Sequence, residues 1–200
     1  MTRKTDPRVI RTLNMLRDAL IGLILERGYD SLTIGDITDR AGLRRATFYL
    51  HFKDKEELLL ALLKEMFESL VMEIEKLNVR MLTPEAEFAI HKAIFRHAQA
   101  NADLYRSIFA SGGSRLVTRH IHDYLARRFI AEIDEHRPNI EFAMPVDVLA
   151  NYVATIKLNL ALWWLDQGMP YSPEEMAKMC TELTLHGVEM AFRTRASKQA

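Results

Sequence analysis

The chain has a single cysteine, Cys180, among 200 residues, which excludes an intrachain disulfide. It contains no H-E-x-x-H, no paired Cys-x-x-Cys and no G-x-S-x-G, so those signatures of metal and nucleophile chemistry are missing. His120 and His122 stand two apart and face different sides of a helix, while His91 and His97 are six apart. Catalytic residues, metal ligands and cofactors are therefore not expected, and Cys180, on an apolar helix stripe, reads as inert core. No run of about 18 uncharged apolar residues occurs, so no membrane span is expected. The segment MTRKTDPRVIRTL lacks the apolar core and cleavage site of a secretory signal. Together these point to a cytoplasmic protein. Excess charge is absent too, with 27 Lys and Arg against 27 Asp and Glu.

Local patches, not the total, set attraction to a polyanion. Residues 1–17 carry Arg3, Lys4, Arg8, Arg11 and Arg17 against the single acid Asp6. Arg44, Arg45, Lys53 and Lys55 form a second basic group, whereas Glu56, Glu57, Glu65, Glu68, Glu73 and Glu75 make the following stretch acid-rich. Hydrophobic residues make up 48% of the chain, enough for one large helical core or two coupled ones.

Helical periodicity dominates and strand-like alternation is nearly absent, so the fold class is all-α. Leu13, Leu16, Leu20 and Ile24 line a first helix that Gly28 ends. Thr33 and Asp36 form a capping-box pattern that starts a second helix at Ile34, with Ile34, Ile37 and Ala41 on one face. Gly42 supplies a left-handed turn, and Arg44 to His51 reads as a third short helix with Phe48 inward and Ala46 or Leu50 nearby. Its outer face shows Arg44, Arg45, Thr47 and His51, the pattern of a helix-turn-helix with a basic reading surface. Asp54 with Glu57 caps a long fourth helix, and Thr83-Pro84 opens a fifth. A short helix near Asp103 to Ala110 and a long one from Leu116 to His136 follow. Val146, Leu149, Val153, Ile156, Leu160 and Trp163 mark the next, which Gly168 ends. Ser172, Pro173 and Glu175 open the last, with Met176, Met179, Cys180, Leu183, Gly187, Met190 and Ala191 as its apolar stripe.

Phe48, Tyr49, His51, Phe52, Asp54, Lys55, Glu56 and Leu58 spell F-Y-x-H-F-x-D-K-E-x-L, with T-I-x-D-I and A-G ahead of it. This string closely resembles the signature of the tetracycline-repressor (TetR) family, over roughly residues 9–60. The resemblance implies a three-helix DNA-binding head at 1–53 and a helical ligand and dimerisation core at 54–200. Candidate DNA contacts are Thr33, Arg44, Arg45, Thr47, Tyr49, His51 and Lys55. Arg44 or Arg45 can pair with guanine, Thr47 can touch a thymine methyl or a phosphate, and Thr33 can give its hydroxyl or amide to a phosphate. By resemblance the Tyr49 and Lys55 positions contact phosphate. Two residues depart from the family pattern: Arg44 stands where a small helix cap is common, and Thr38 where an alanine is common at the crossing of the two helices.

The resemblance also implies a small-molecule pocket in the second part. Candidate lining residues are Phe67, Phe88, His91, Phe95, Tyr105, Phe109, His120, Tyr124, Tyr152 and Asn159, though for each one taken singly plain packing is the stronger reading. The last two helices would pair with their copies as a four-helix interface, with Leu149, Val153, Ile156, Trp163, Met179, Leu183, Gly187 and Met190 as candidates. By periodicity alone they could instead complete the monomer's own core. Adjacent Trp163 and Trp164 cannot both face inward. The expected function is a homodimeric regulator of a palindromic double-stranded DNA operator, released by an unidentified small molecule and with no membrane partner. The reading from another class is a helical ligand carrier or enzyme with a vestigial head.

Overall fold

The computed structural model describes residues 6–77, 83–109, 114–136 and 142–189, which form nine α-helices and no strand. Helix α1 (Pro7–Arg27) begins where the Asp6 carboxylate accepts the Arg8 N–H at 2.9 Å. It buries Leu16, Ala19, Leu20, Leu23 and Ile24, the i, i+3, i+4, i+7, i+8 stripe of an amphipathic helix. Leu13 is only partly buried. Helix α2 (Ile34–Ala41) starts at a complete capping box, Asp36 N–H to Thr33 Oγ1 at 3.1 Å and Thr33 N–H to the Asp36 carboxylate at 2.8 Å.

The end of α2 explains the glycine. Gly42 sits at φ 65°, a conformation that a Cβ disfavours. This geometry lets the Leu43 N–H reach Thr38 O at 2.9 Å and the Gly42 N–H reach Asp39 O at 3.1 Å, a Schellman pattern. Helix α3 (Arg45–Tyr49) leaves this turn after Arg44 and is shorter than expected. Phe48 is its one buried side chain, with rings of Tyr49 and Phe52 centred 5.7 and 5.8 Å away. Ala46 and Leu50, expected near the inner face, are exposed, Leu50 by 80%. Two residues from Phe48 means about 200° around the helix, so neither can share its face.

Helix α4 (Lys55–Lys76) is capped by Asp54, which accepts the Glu57 N–H at 2.8 Å. Glu57 answers to the N–H of Lys53 at 2.7 Å, so the reciprocal cap is displaced by one residue. The remaining helices are α5 (Pro84–Ala100), α6 (Ala102–Phe109), α7 (Ser114–His136), α8 (Val146–Asp166) and α9 (Pro173–Glu189). Thr83 caps α5 by accepting the Ala86 N–H at 3.3 Å. Ser172 and Glu175 form the capping box of α9.

The described residues group into two compact units. One holds α1, α2, α3, α4 up to Ser69 and α6 from Asp103. The other holds the end of α4, α5, α7 from residue 116, α8 and α9. Leu58, Leu59, Leu62 and Leu63 of α4 are buried within the first unit. In the second unit Ala126, Phe129 and Ile133 of α7 pack on Leu149, Ala150, Val153 and Ala154 of α8. By length and composition α8 alone among the described helices could cross a bilayer. Its buried stripe, which includes Lys157, identifies it as a core helix here. Trp164 is fully buried, donating Nε1–H to Tyr171 O at 2.8 Å and meeting the Phe95 ring edge-on at 5.3 Å, while Trp163 faces outward.

Candidate functional site

The α2–α3 pair presents a surface whose charges sort into two kinds. Arg40 binds Glu26 through both terminal nitrogens, at 3.0 and 2.7 Å, and Arg27 meets Asp36 at 3.3 Å, so these arginines fasten α1 to α2. Arg17 is similarly paired with Glu65. The Thr33 donors and Arg27 hold the Asp36 carboxyl below its usual range. By contrast, the side chains of Arg44, Arg45 and Lys53 make no hydrogen bond or ion pair among the described residues, nor do those of Arg8 and Arg11. Arg44, Arg45 and Tyr49 are exposed, with Thr47 and His51 partly so. Buried Phe48 anchors the helix from behind, so this cationic face is held outward by the core and not by charge pairing.

Two expected contacts have other partners. Lys55 Nζ donates to the carbonyls of Tyr29, Asp30 and Leu32 at 3.2, 3.1 and 2.8 Å and lies 4.6 Å from the centre of the Tyr29 ring. An ammonium has three protons, so these carbonyls of the α1–α2 loop match its donors one for one. Thr33 gives both its amide and its hydroxyl to Asp36. Thr38, at the helix crossing, is buried and folds its hydroxyl back to Ile34 O and Gly35 O at 3.0 Å each. That satisfies the one polar atom that the usual alanine would lack.

The candidate pocket residues divide between the units. In the first, Phe67 stacks on Tyr105 at 6.4 Å and Tyr105 meets Phe109 at 6.2 Å. Burial pushes the Tyr105 phenol well above its usual pKa. In the second, His91 and Phe95 are fully buried, and Phe88 and Tyr124 partly so. His120, Tyr152 and Asn159 are exposed, contrary to expectation. Tyr152 and Asn159 lie seven apart on the outward side of α8, one residue from the buried Val153 and two from the buried Lys157 respectively, and Asn159 gives its amide to Thr155 O.

Around His91 the fold gathers residues the sequence reading passed over. Glu87 and His91 are one turn apart on α5, Lys157 comes from α8, and Thr181 and Thr184 come from α9; all are buried. Lys157 Nζ donates to Glu87 Oε2 at 3.2 Å, and His91 Nδ1 lies 2.8 Å from Thr181 Oγ1. Burial, with Lys157 nearby, holds the His91 pKa well below its usual value, so the ring is neutral. Glu87 sits i−4 to His91 on α5, but no motif links either to residues 70 to 90 positions away.

Residues 16–62 match the family described as bacterial regulatory proteins, tetR family, and residues 85–186 match the transcriptional regulator C-terminal region. The chain belongs to the TetR family. A HTH-type transcriptional regulator of Bacillus subtilis, YxbF, is 28% identical over 180 residues, covering 88% of this chain and 45% of that protein. The chain thus spans less than half the length of this curated relative. The HTH-type transcriptional activator FasR of Mycolicibacterium smegmatis is 22% identical over 189 residues, 87% of this chain and 81% of the relative. A solved structure from Syntrophomonas wolfei has the same fold, with a TM-score of 0.72 and 19% identity over 94% of this chain and 100% of that one.

In this TetR-family chain the candidate interface residues also sort by face. Leu149 and Val153 are buried in the α7–α8 core, so they are closed to a partner. Ile156 is partly buried. Trp163, Met179 and Leu183 are exposed at 47, 38 and 54%, alongside Val148 and Tyr152, which were not expected there. Gly187 is occupied from within: a Cβ on it would lie inside van der Waals contact of the Tyr152 hydroxyl, so its small size serves α8–α9 packing in the monomer. Met190 lies outside the described residues.

Proposed function

We propose that the chain is a homodimeric, DNA-binding transcriptional regulator that acts in the cytoplasm, and that a small molecule bound by its second unit lowers its affinity for DNA. The observation that carries the reading is the outward face of α3, where Arg44, Arg45, Thr47 and Tyr49 stand without intramolecular charge partners over a buried Phe48. A helix so displayed fits the major groove, with Arg44 or Arg45 donating to guanine, Thr47 touching a thymine methyl, and Tyr49 and His51 meeting phosphates. Dimerisation through Val148, Tyr152 and Trp163 of α8 with Met179 and Leu183 of α9 would cover large apolar side chains that the single chain leaves exposed. Two heads then read half-sites about 34–36 Å apart. The effector acts by favouring a state that binds DNA less well, and DNA weakens effector binding by the same factor.

Selection of bound duplexes from a random pool tests this. The expected outcome is an enriched palindrome whose half-sites repeat on one face of the duplex. Recovery of unenriched sequence, or a monomer by sedimentation at micromolar concentration, would overturn it.

A further inference from the structure

The second unit contains a hydrogen-bonding imbalance that fixes a chemical demand. Glu87 and His91 are each 0% exposed and Lys157 is 6% exposed. The hydrogens follow by counting. The Thr181 hydroxyl has one proton, and it donates to Ala177 O at 2.7 Å. Toward His91 Nδ1, 2.8 Å away, that oxygen can only accept, so Nδ1 carries the proton. Nε2 of the neutral ring is then a bare acceptor. It has no hydrogen-bond partner, and its near neighbour is Glu87 Oε2 at 3.7 Å, another acceptor that Lys157 engages. Folded proteins rarely leave such atoms without a donor.

We propose that this α5–α8–α9 cluster is the polar end of the effector site, and that the effector is an uncharged molecule carrying a hydroxyl on an apolar body. The inference rests on reading the second unit as the effector domain. A hydroxyl supplies the proton that Nε2 lacks. Lys157 is engaged by Glu87, and a charged group carried into so buried a site would give up its hydration at a large cost. The ammonium beside the carboxylate likewise argues against a metal ion. Flanking buried positions, Ile90, Leu158 and Cys180, are apolar, which suits a hydrocarbon body.

The test uses the full-length protein with ¹⁵N-labelled histidine and four probes: n-butanol, n-hexanol, phenol and 4-ethylphenol, each beside its methyl ether. Expected are an unprotonated Nε2 signal for His91 in the free protein, its displacement by at least one hydroxyl probe, and about tenfold or greater preference for that probe over its ether. The same probe should lower duplex affinity, and the preference should vanish in His91→Phe. Should that variant not fold, the wild-type spectrum decides alone. A proton on Nε2 in the free protein, no displacement by any hydroxyl probe up to its solubility, or equal binding of alcohol and ether overturns the proposal, the last two leaving a bound water as occupant. Displacement without loss of duplex affinity would retain the ligand site and overturn the regulatory reading. Loss of duplex affinity without displacement would retain the regulatory reading and overturn this site.

Discussion

The outer face of α3 and the buried cluster of α5, α8 and α9 concentrate polar side chains in opposite ways. On α3, Arg44 and Arg45 are exposed and unpaired, and an apolar residue, Phe48, holds them in place. In the cluster, Glu87, His91, Lys157 and Thr181 are buried and hold one another. A side chain that contributes nothing to its own fold can be tuned for a partner without endangering stability. A buried polar group cannot, because removing one member strands another in a medium that solvates it poorly. Binding and stability should therefore separate in the head and be coupled in the second unit.

The largest effect is expected from halving the buried ion pair. Lys157→Met or Glu87→Leu alone should cost about 3–5 kcal/mol in chemical denaturation, whereas the double variant should recover most of that loss. A double variant less stable than either single would show that the cluster is not coupled. Next comes Lys55→Ala, which releases three carbonyls of the α1–α2 loop. It should destabilise the protein by about 1.5–3 kcal/mol, while Arg45→Ala should stay within about 0.5 kcal/mol of wild type. Equal and negligible effects would make Lys55 a surface cation after all.

Acid sharpens the comparison further. The pKa of folded His91 lies below its ordinary 6.5, so the neutral ring favours the native state. That stability is complete above about pH 6.5 and is lost as the pH falls from there toward the folded pKa, with a slope of up to about 1.4 kcal/mol per pH unit. Its neighbours Glu87, Lys157 and Thr181 bear on it, so His91→Gln should flatten the stability profile in that window. The caps act lower. Asp36 and Glu175 have depressed pKa values, so their contribution is present above their ordinary 3.8 and 4.5 and fades as the pH falls through the folded values. The smallest effect belongs to Gly187→Ala. Its new Cβ displaces an exposed tyrosine ring end, and the gain in helix propensity of about 1 kcal/mol offsets the cost. In a Tyr152→Ala background the same change should become stabilising by thermal denaturation.

Local signals announced the helices well. Thr33 with Asp36, Thr83 before Pro84 and Ser172 with Glu175 all cap where expected, since a cap depends on residues within one turn. The faces were harder to read. The stripe from Val146 to Trp163 advances by alternating threes and fours, a period near 3.5, and drifts about 20° per heptad against a straight helix. It therefore begins in the core at Leu149 and Val153 and ends outside at Trp163, while Trp164 turns inward. Lys55 read as a surface cation because the carbonyls it binds are more than twenty residues away. Glu87 and Lys157, seventy residues apart, carry no sequence mark of their pairing.

The central claim is that α3 binds DNA through cations that the fold leaves unpaired, and the salt dependence of duplex affinity measures this most directly. With the selected duplex, log affinity of the wild type should fall linearly with log salt concentration. Arg44→Ala and Arg45→Ala should weaken binding at unchanged melting temperature, and each lost phosphate contact should reduce the slope by about 0.9. A variant whose arginine reads a base should instead lose preference at one base pair and keep its slope. Unchanged affinity, slope and sequence preference in both variants would contradict the account.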